Sequence, residues 1–452
     1  MTDLLRVLRS IGEEGPPDPL APGWEESMRT VPPSIGFLDE QEVRRAREYC
    51  GLDAVVEEPL CACARRIVAD DSLRRLAWHA ARVLFETSEP VDFGRWPGFR
   101  ASLGEGEPIR EGGFSAGGGS FYLLVALAMV PRVIETHERL GIEPEVTRQT
   151  CRQVRCFAGN YRAGTGGRLG VFAKQLYWLR HYTEGRLFRL GRFEYMRKPY
   201  AGGIALFRDT VSGSYLALAP DGWTYDRDGF AVAADGNPPT AVRRGTPPFW
   251  TSTLRIDDRE AQGHPIHPSG RTLETRVTLD LGRWQRVVEP GDTVLDLHIP
   301  ADGRMPIEAC AESFAAAVSF FARHFPETPA KAVWCASWIF GPQLEEILPA
   351  HSNLVRFLRQ GYLAPIPSSG SSLWFIYLDE EVDPRSAPRA NSLQAAVSDF
   401  LARGGIWRDA SMIYPVELLP EFGNDPLRSS WPQALESARR GSGCAPDASG
   451  LS

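Results

Sequence analysis

The spacing of apolar residues changes near Gly185, and this change is the strongest constraint on the fold. Before it, residues 72–86 carry apolar side chains three and four positions apart, which predicts an amphipathic helix. After it, residues 186–195 alternate apolar and polar side chains, which predicts a half-buried strand. We therefore predict an α+β chain with a helical N-terminal domain (1–184), a mixed β-sheet domain flanked by helices (185–424) and a partly disordered tail (425–452).

A strand, a loop and a helix follow one another in the second half. The strand TVLDLHI (293–299) runs into the loop PADGRMP (300–306), and an amphipathic helix follows. The start of a helix presents unpaired N–H groups and the positive end of the helix dipole, which together favour phosphate. A plain structural crossover explains the same pattern, because the segment has neither a P-loop nor a dinucleotide-binding glycine motif. The residues that would contact phosphate are Asp302, Gly303, Arg304 and Met305.

Several short motifs resemble a family of bacterial acyltransferase-like proteins. They are GHPI (263–266), LHIP (297–300), CASW (335–338) and SNL (352–354). Members of that family join a helical N-terminal acyltransferase domain to a GNAT-like C-terminal domain. The resemblance implies an acyl-CoA-dependent N-acyltransferase with a small-molecule or peptide amine as acceptor. Its implied co-substrate is acetyl-CoA or another acyl-CoA, and no metal is implied.

The resemblance also implies which residues bind the donor. In GNAT domains a splayed central strand leads into a pyrophosphate loop at a helix N-terminus, and pantetheine lies along the backbone of that strand. In this chain, pantetheine would contact Leu297, Ile299 and Asn353. The pyrophosphate would contact the loop from Asp302 to Met305.

Attack of an amine on a thioester needs a base for the amine proton and an acid for the leaving thiolate. His298 is the predicted base, because it ends a buried strand beside the loop and histidine titrates near neutral pH. Tyr362 is the predicted acid, with Tyr377 as an alternative. Alternatives for the base are His351, Glu308 and Glu194, and His298 could instead hold the turn through backbone hydrogen bonds.

Two other functions stay open at this point. A GNAT-derived protein could bind a small molecule or regulate without catalysis, and the single glycine of the loop favours this alternative. A β-sandwich that binds or hydrolyses carbohydrate would need paired carboxylates in a cleft. For that role the chain offers acids of turn type, namely Asp226, Asp228, Asp257 and Asp258.

Charge and composition argue against several partners. A net charge of -7 and a pI near 5.8 do not fit the basic surface of a nucleic-acid-binding protein. The apolar run at 121–130 is too short to cross a bilayer, and the first ten residues lack the apolar core of a signal peptide. The cysteines are scattered rather than arranged as a disulfide framework. We therefore expect a cytoplasmic protein without a membrane or nucleic-acid partner, and we expect HPIH (264–267) to be a solvated turn rather than a metal site.

Overall fold

A computed structural model describes most of the chain, and it divides into two compact units. The described residues are 2–13, 17–87, 91–96, 110–111, 114–115, 118–232, 248–368, 370–379, 382–383 and 385–441. Unit 1 comprises Met1–Leu190, Ile299–Gly303 and Leu378–Glu381, and unit 2 comprises Gly191–His298, Arg304–Tyr377 and Val382–Ser452. The predicted domain boundaries at 184 and 424 stay predictions.

Unit 1 is mainly helical, as predicted. Its α-helices are Thr2–Ser10 (α1), Trp24–Arg29 (α2), Glu40–Tyr49 (α3), Glu57–Ala69 (α4), Asp71–Phe85 (α5), Gly119–Leu127 (α6), Met129–Arg139 (α7), Pro144–Cys151 (α8), Gln153–Gly164 (α9) and Arg180–Thr183 (α10). Its 3-10 helices are Gly36–Leu38, Ala54–Val56, Phe93–Arg95 and Ala173–Leu179. Its strands are Arg110–Glu111 (β1), Phe114–Ser115 (β2) and Leu187–Leu190 (β3).

Helix α5 illustrates how the sequence sets a helix boundary. The Asp70 side chain accepts hydrogen bonds from the backbone N–H groups of Ser72 and Leu73, at 2.9 and 3.1 Å. This N-cap satisfies two donors that have no partner inside the helix. The apolar stripe that follows is fully buried at Leu73 and Leu76.

Helix α6 forms the centre of unit 1. It is buried on every side and contacts α3, α4, α5 and α9. A break at Ala128 separates it from α7, so that Pro131 falls in the first turn of α7, where its missing N–H costs no hydrogen bond. The apolar stretch is longer than the predicted ten residues, because Gly119–Arg139 is long and apolar enough to span a membrane. However, 72% of its apolar 18-residue window is buried inside the protein. Such burial is typical of a core helix.

Unit 2 holds the other strands. They are Phe193–Pro199 (β4), Ala205–Asp209 (β5), Tyr215–Leu218 (β6), Thr224–Tyr225 (β7), Trp250–Thr251 (β8), Arg255–Ile256 (β9), Glu260–Gly263 (β10), Pro265–His267 (β11), Arg271–Thr272 (β12), Val277–Asp280 (β13), Trp284–Val288 (β14), Thr293–His298 (β15), Ala332–Ser337 (β16), Tyr362–Pro365 (β17) and Ala410–Pro415 (β18). Its α-helices are Ile307–His324 (α11), Leu344–Ile347 (α12), Asn353–Leu358 (α13), Trp374–Tyr377 (α14), Ser392–Ala402 (α15), Pro426–Ser429 (α16) and Trp431–Gly441 (α17). Its 3-10 helices are Trp338–Phe340, Ser371–Leu373 and Val416–Glu421.

The main sheet of unit 2 is mixed and flanked by helices, as predicted. Within the unit its strands lie in the order β17-β18-β16-β15-β4. Only β15 and β16 run parallel among these neighbours, and α11 connects them. Phe314 of α11 is fully buried and its ring lies 5.9 Å from that of Tyr414 in β18. A second sheet has the order β12-β11-β6-β5-β14, and α17 packs on β6.

Several local predictions were wrong. The apolar run LWFIYL (373–378) predicts a buried strand, but these residues continue from a 3-10 helix into α14, because so short an apolar run has no diagnostic period. HPIH is not a solvated turn: it contributes strand β11, and His264 is buried. Strands β17 and β18 were not predicted.

The last helix of the described chain, α17, extends to Gly441 and so lies within the predicted tail (425–452). Residues 442–452 of that tail lie outside the described residues.

Candidate active site

One face of the main sheet is apolar, and the other carries polar side chains where β15 ends. Because side chains alternate across a strand, Leu297 and His298 lie on opposite faces. Leu297 is paired with Tyr195 of β4, whose ring packs on Phe314 of α11. The Leu297 side chain therefore belongs to the apolar face, and only its backbone is available to a ligand.

Asp296 and His298 form a close ion pair on the polar face. The Nε2 atom of His298 lies 2.9 Å from Oδ2 of Asp296, and Nζ of Lys198 lies 2.6 Å from the same oxygen. The Asp296 side chain is 7% exposed, and that of His298 is 27% exposed. A carboxylate repels the lone pair of a ring nitrogen, so we expect the proton of a neutral His298 on Nε2. The lone pair of a neutral His298 is then on Nδ1.

Lys198 and His298 keep Asp296 ionised. Burial disfavours the charged carboxylate, but the hydrogen bonds and charges of His298 and Lys198 outweigh it and hold the pKa of Asp296 below its ordinary value. Lys198 in turn lies over the Trp334 ring, 4.9 Å from its centroid, in a cation–π contact. Trp334 is paired with Asp296 across β15 and β16. These side chains support the orientation of the His298 ring.

The parallel strands β15 and β16 separate beside this pair. Their pairing ends at Asp296 and Trp334. Beyond that point β15 stays paired with β4 to His298, whereas β16 stays paired with β18 to Ser337. Leu297 thus lies just past the last pair of residues, where the two strands no longer bond to each other.

The predicted phosphate loop follows directly. It leads into α11, whose N-cap residue is Pro306 and so offers no side-chain cap for the first-turn N–H groups. Arg304 is exposed and Met305 is half-buried. The Nε of Arg192 donates a hydrogen bond to the backbone carbonyl of Arg304 at 2.9 Å. The loop therefore ends at an uncapped helix N-terminus with one exposed arginine beside it.

Asp302 is tied down within unit 1. Its two carboxylate oxygens accept hydrogen bonds from both terminal nitrogens of Arg189, at 2.7 and 2.8 Å. The Arg189 side chain is 10% exposed. This bidentate pair neutralises the negative charge of the loop.

Tyr362 does not have the position of a catalytic acid, which corrects the prediction. Its hydroxyl donates to the carbonyl of Ile266 and accepts from the N–H of Ala217 at 3.0 Å, so its proton is already used. Burial raises the pKa of Tyr362 above its ordinary value. Tyr362 is also three strands away from Asp296, through Ile413 and Trp334, or about 14 Å at the usual strand spacing.

The remaining predicted residues are the pantetheine contact Asn353 and the three alternative bases. Asn353 is half-buried in the first turn of α13, but the cap of that helix is the Ser352 hydroxyl, which accepts from the Val355 N–H at 3.3 Å. His351 and Glu308 are exposed, whereas Glu194 is 1% exposed and is paired with His298 across β4 and β15. Of the alternative bases, only Glu194 shares the polar face.

Asp296 and Lys198 were not predicted from the sequence. The signal was available, because residues two apart on a strand share a face and Asp296 precedes His298 by two. In the described part of the chain, no group of three or more histidine, cysteine or acidic side chains is arranged to hold a metal. Asp226, considered for carbohydrate hydrolysis, is fully buried and paired with Arg408 at 2.9 Å.

Two known domain families match the chain. The N-acyltransferase N-terminal domain matches residues 41–185, and the GNAT-like C-terminal domain matches residues 187–413, half of the chain. The chain belongs to this two-domain acyltransferase family. The family resemblance inferred from the short motifs is thereby confirmed.

Solved acyltransferase structures share the fold over nearly the whole chain. One is a mutant acyltransferase in complex with octanoyl-CoA, with 21% sequence identity and a TM-score of 0.56. Two others are acyltransferases solved with decanoyl-CoA and teicoplanin (22%, TM-score 0.53) and with CoA and 10C-teicoplanin (21%, TM-score 0.54). Each match covers 91% of this chain and 99% of the other. No curated protein sequence matches the chain significantly.

Proposed function

We propose that the protein is an acyl-CoA-dependent N-acyltransferase. One arrangement carries the proposal: the parallel strands β15 and β16 part beside the Asp296–His298 pair, and β15 leads into a loop at an uncapped helix N-terminus. Where the two strands separate, a thioester would lie along the backbone of β15. The helix N-terminus would bind phosphate. Membership of the acyltransferase family supports the same activity.

In this proposal the donor binds along β15. The pantetheine would lie beside the backbone of Leu297 and Ile299, with Asn353 as a further contact. The diphosphate would take the first-turn N–H groups of α11 and the loop residues Asp302, Gly303, Arg304 and Met305. Arg304 is the exposed cation of this loop and would pair with a phosphate oxygen.

His298 is the proposed general base. Its Nδ1 would take a proton from the acceptor amine, whose nitrogen attacks the thioester carbonyl carbon. The Asp296 carboxylate would hold the ring and stabilise the imidazolium that forms. When the carbon–sulfur bond breaks, the same imidazolium can return the proton to the CoA thiolate. The step thus yields an amide and free CoA without a separate tyrosine acid.

The solved relatives suggest the substrates to try first. Their complexes contain octanoyl-CoA, decanoyl-CoA and teicoplanin, a glycopeptide. We therefore propose a medium-chain acyl-CoA as donor and an amine-bearing glycopeptide or similar small molecule as acceptor. We also propose a cytoplasmic location, which the free thiols of the described cysteines support.

Donor binding is the first test. Unfolding of the protein should be measured with octanoyl-CoA, decanoyl-CoA and acetyl-CoA, with free pantetheine as comparison. A donor at a hundred times its Kd should stabilise the fold by about 2.7 kcal/mol. Arg304→Glu should reduce the stabilisation by the donor. Arg323→Glu, at an exposed position near the other end of α11, should not reduce it. No stabilisation by any CoA ester would overturn the proposal.

Turnover separates the enzyme from an inactive relative. Release of CoA thiol should be followed with a panel of amines that includes teicoplanin. Amine-dependent release supports the acyltransferase. Tight donor binding without release for any amine would favour the alternative, a GNAT-derived binding or regulatory protein.

A further inference from the structure

The proposed diphosphate loop contains an acidic residue, Asp302, where a negative charge would repel the ligand. We propose that Arg189 is a positioning residue for donor binding: it neutralises Asp302 and holds the loop in the conformation that receives the diphosphate. This inference rests on the proposed function.

The Arg189 side chain is held in one orientation by its contacts. Both terminal nitrogens of its guanidinium donate to Asp302, at 2.7 and 2.8 Å, and the side chain is 10% exposed. Its backbone N–H donates to the hydroxyl of Thr150 at 3.1 Å, and Thr150 is fully buried in α8. Strand β3, which carries Arg189, packs on α8. The backbone of Arg189 is thus anchored to a helix of the same unit.

The planar fork gives the pair a geometry that a lysine cannot reproduce. Two parallel hydrogen bonds fix the direction of the Asp302 carboxylate as well as its charge. With the carboxylate occupied, Arg304 is left as the exposed charge of the loop. Removing Arg189 alone would take these two hydrogen bonds and the compensating positive charge away from Asp302 at the proposed diphosphate site.

A double-mutant cycle tests the inference. We expect Arg189→Met to weaken CoA binding at least tenfold in calorimetry at low salt, and less at high salt, because the added repulsion is screened. Asp302→Asn should weaken CoA binding less than Arg189→Met does, because it also removes the charge that would repel the ligand. The double variant Arg189→Met with Asp302→Asn should regain most of the loss, because the repelling charge is gone. Arg189→Met within twofold of wild type would overturn the inference.

A second donor distinguishes positioning from a general structural effect. Acyl-pantetheine lacks the diphosphate, so Arg189→Met should raise KM for acyl-CoA and leave KM for acyl-pantetheine unchanged. Equal losses with both donors would contradict the inference. Arg189→Lys, which keeps the charge but loses the fork, should fall between wild type and the Met variant. Binding by Arg189→Lys equal to that of wild type would refute positioning by the guanidinium fork.

The matched control is Arg186→Met, a more exposed arginine of the same segment that pairs with Glu184. It should bind CoA like wild type, and a tenfold loss there would refute the specific role of Arg189. Absence of CoA binding by the wild-type protein would instead overturn the proposed function, so the two failures are distinguishable.

Discussion

Replacing Asp296 with asparagine should lower kcat/KM by about 100- to 1,000-fold. The change removes a charge and keeps an oxygen that can accept the Nε2 proton of His298. An imidazolium with its charge about 4 Å from the carboxylate is stabilised by roughly 4 kcal/mol at an effective dielectric constant of 20. That energy corresponds to about a thousandfold in rate, and the partial exposure of His298 reduces it.

Lys198 makes the prediction sharper. Its ammonium and the His298 ring bond the same oxygen of Asp296. In Asp296→Asn, Lys198 would face the imidazolium with no carboxylate between them, a repulsion of roughly 3 kcal/mol before solvent screening at a separation of about 5.5 Å. Adding Lys198→Met should therefore restore most of the lost activity, to within about tenfold of wild type.

The assay is release of CoA thiol at saturating acceptor, with the amine that gives turnover in the screen. His298→Gln gives the reference for complete loss of the base, expected at about 100- to 10,000-fold. His351→Gln, an exposed histidine, is the control and should be unchanged. The proposed role of Asp296 is wrong if Asp296→Asn keeps a third of wild-type activity, or if Lys198→Met worsens that variant.

Three further changes test the structure itself. Tyr362→Phe should cost about 1–3 kcal/mol of stability in urea unfolding, because it leaves the N–H of Ala217 unpaired, while kcat/KM stays near wild type; a large loss of kcat would restore a catalytic role. Phe314→Ala should cost about 3–5 kcal/mol, because a fully buried ring is lost, whereas Ser319→Ala on the exposed side of α11 should be nearly neutral. Hydrogen bonds from Arg283 hold the pKa of Asp209 well below its ordinary value, so its contribution to stability is complete above about pH 4 and falls as the solution is acidified further. Urea midpoints between pH 3 and 7 should show this fall, and Asp209→Asn should reduce it; an unchanged pH dependence in that variant would contradict the assignment.

The sequence predicts the long elements of this fold well. Helix α5 has a capping aspartate and a regular apolar stripe, and strand β15 alternates, so each carries its own local signal. The order strand, loop, helix, strand from 293 to 337 follows from the same signals. Residues 373–378 carry no such signal: an apolar run of six fits a strand or a buried helix, and only tertiary packing decides between them.

Half of the candidate site could be predicted, and half depends on pairing. His298 and the loop are recognisable along the chain, because they are neighbours in sequence. Lys198 lies 98 residues from Asp296, and it reaches the carboxylate only because β4 pairs with β15 in one register. The burial of Tyr362 likewise depends on β6 and β11, strands remote from it in sequence. One sequence contains no signal for such registers.

Helix α17 has a consequence for how the chain is made. Trp431 donates to the carbonyl of Ile266 at 3.1 Å, and the Ser437 hydroxyl donates to Asp209 at 3.0 Å across 228 residues of sequence. Synthesis proceeds from the N-terminus, so every strand beneath this helix leaves the ribosome before the helix exists. The face of the second sheet on which α17 packs is therefore uncovered until translation has passed Gly441. A ribosome that stalls shortly before that point would leave a nascent chain prone to aggregation and dependent on chaperones.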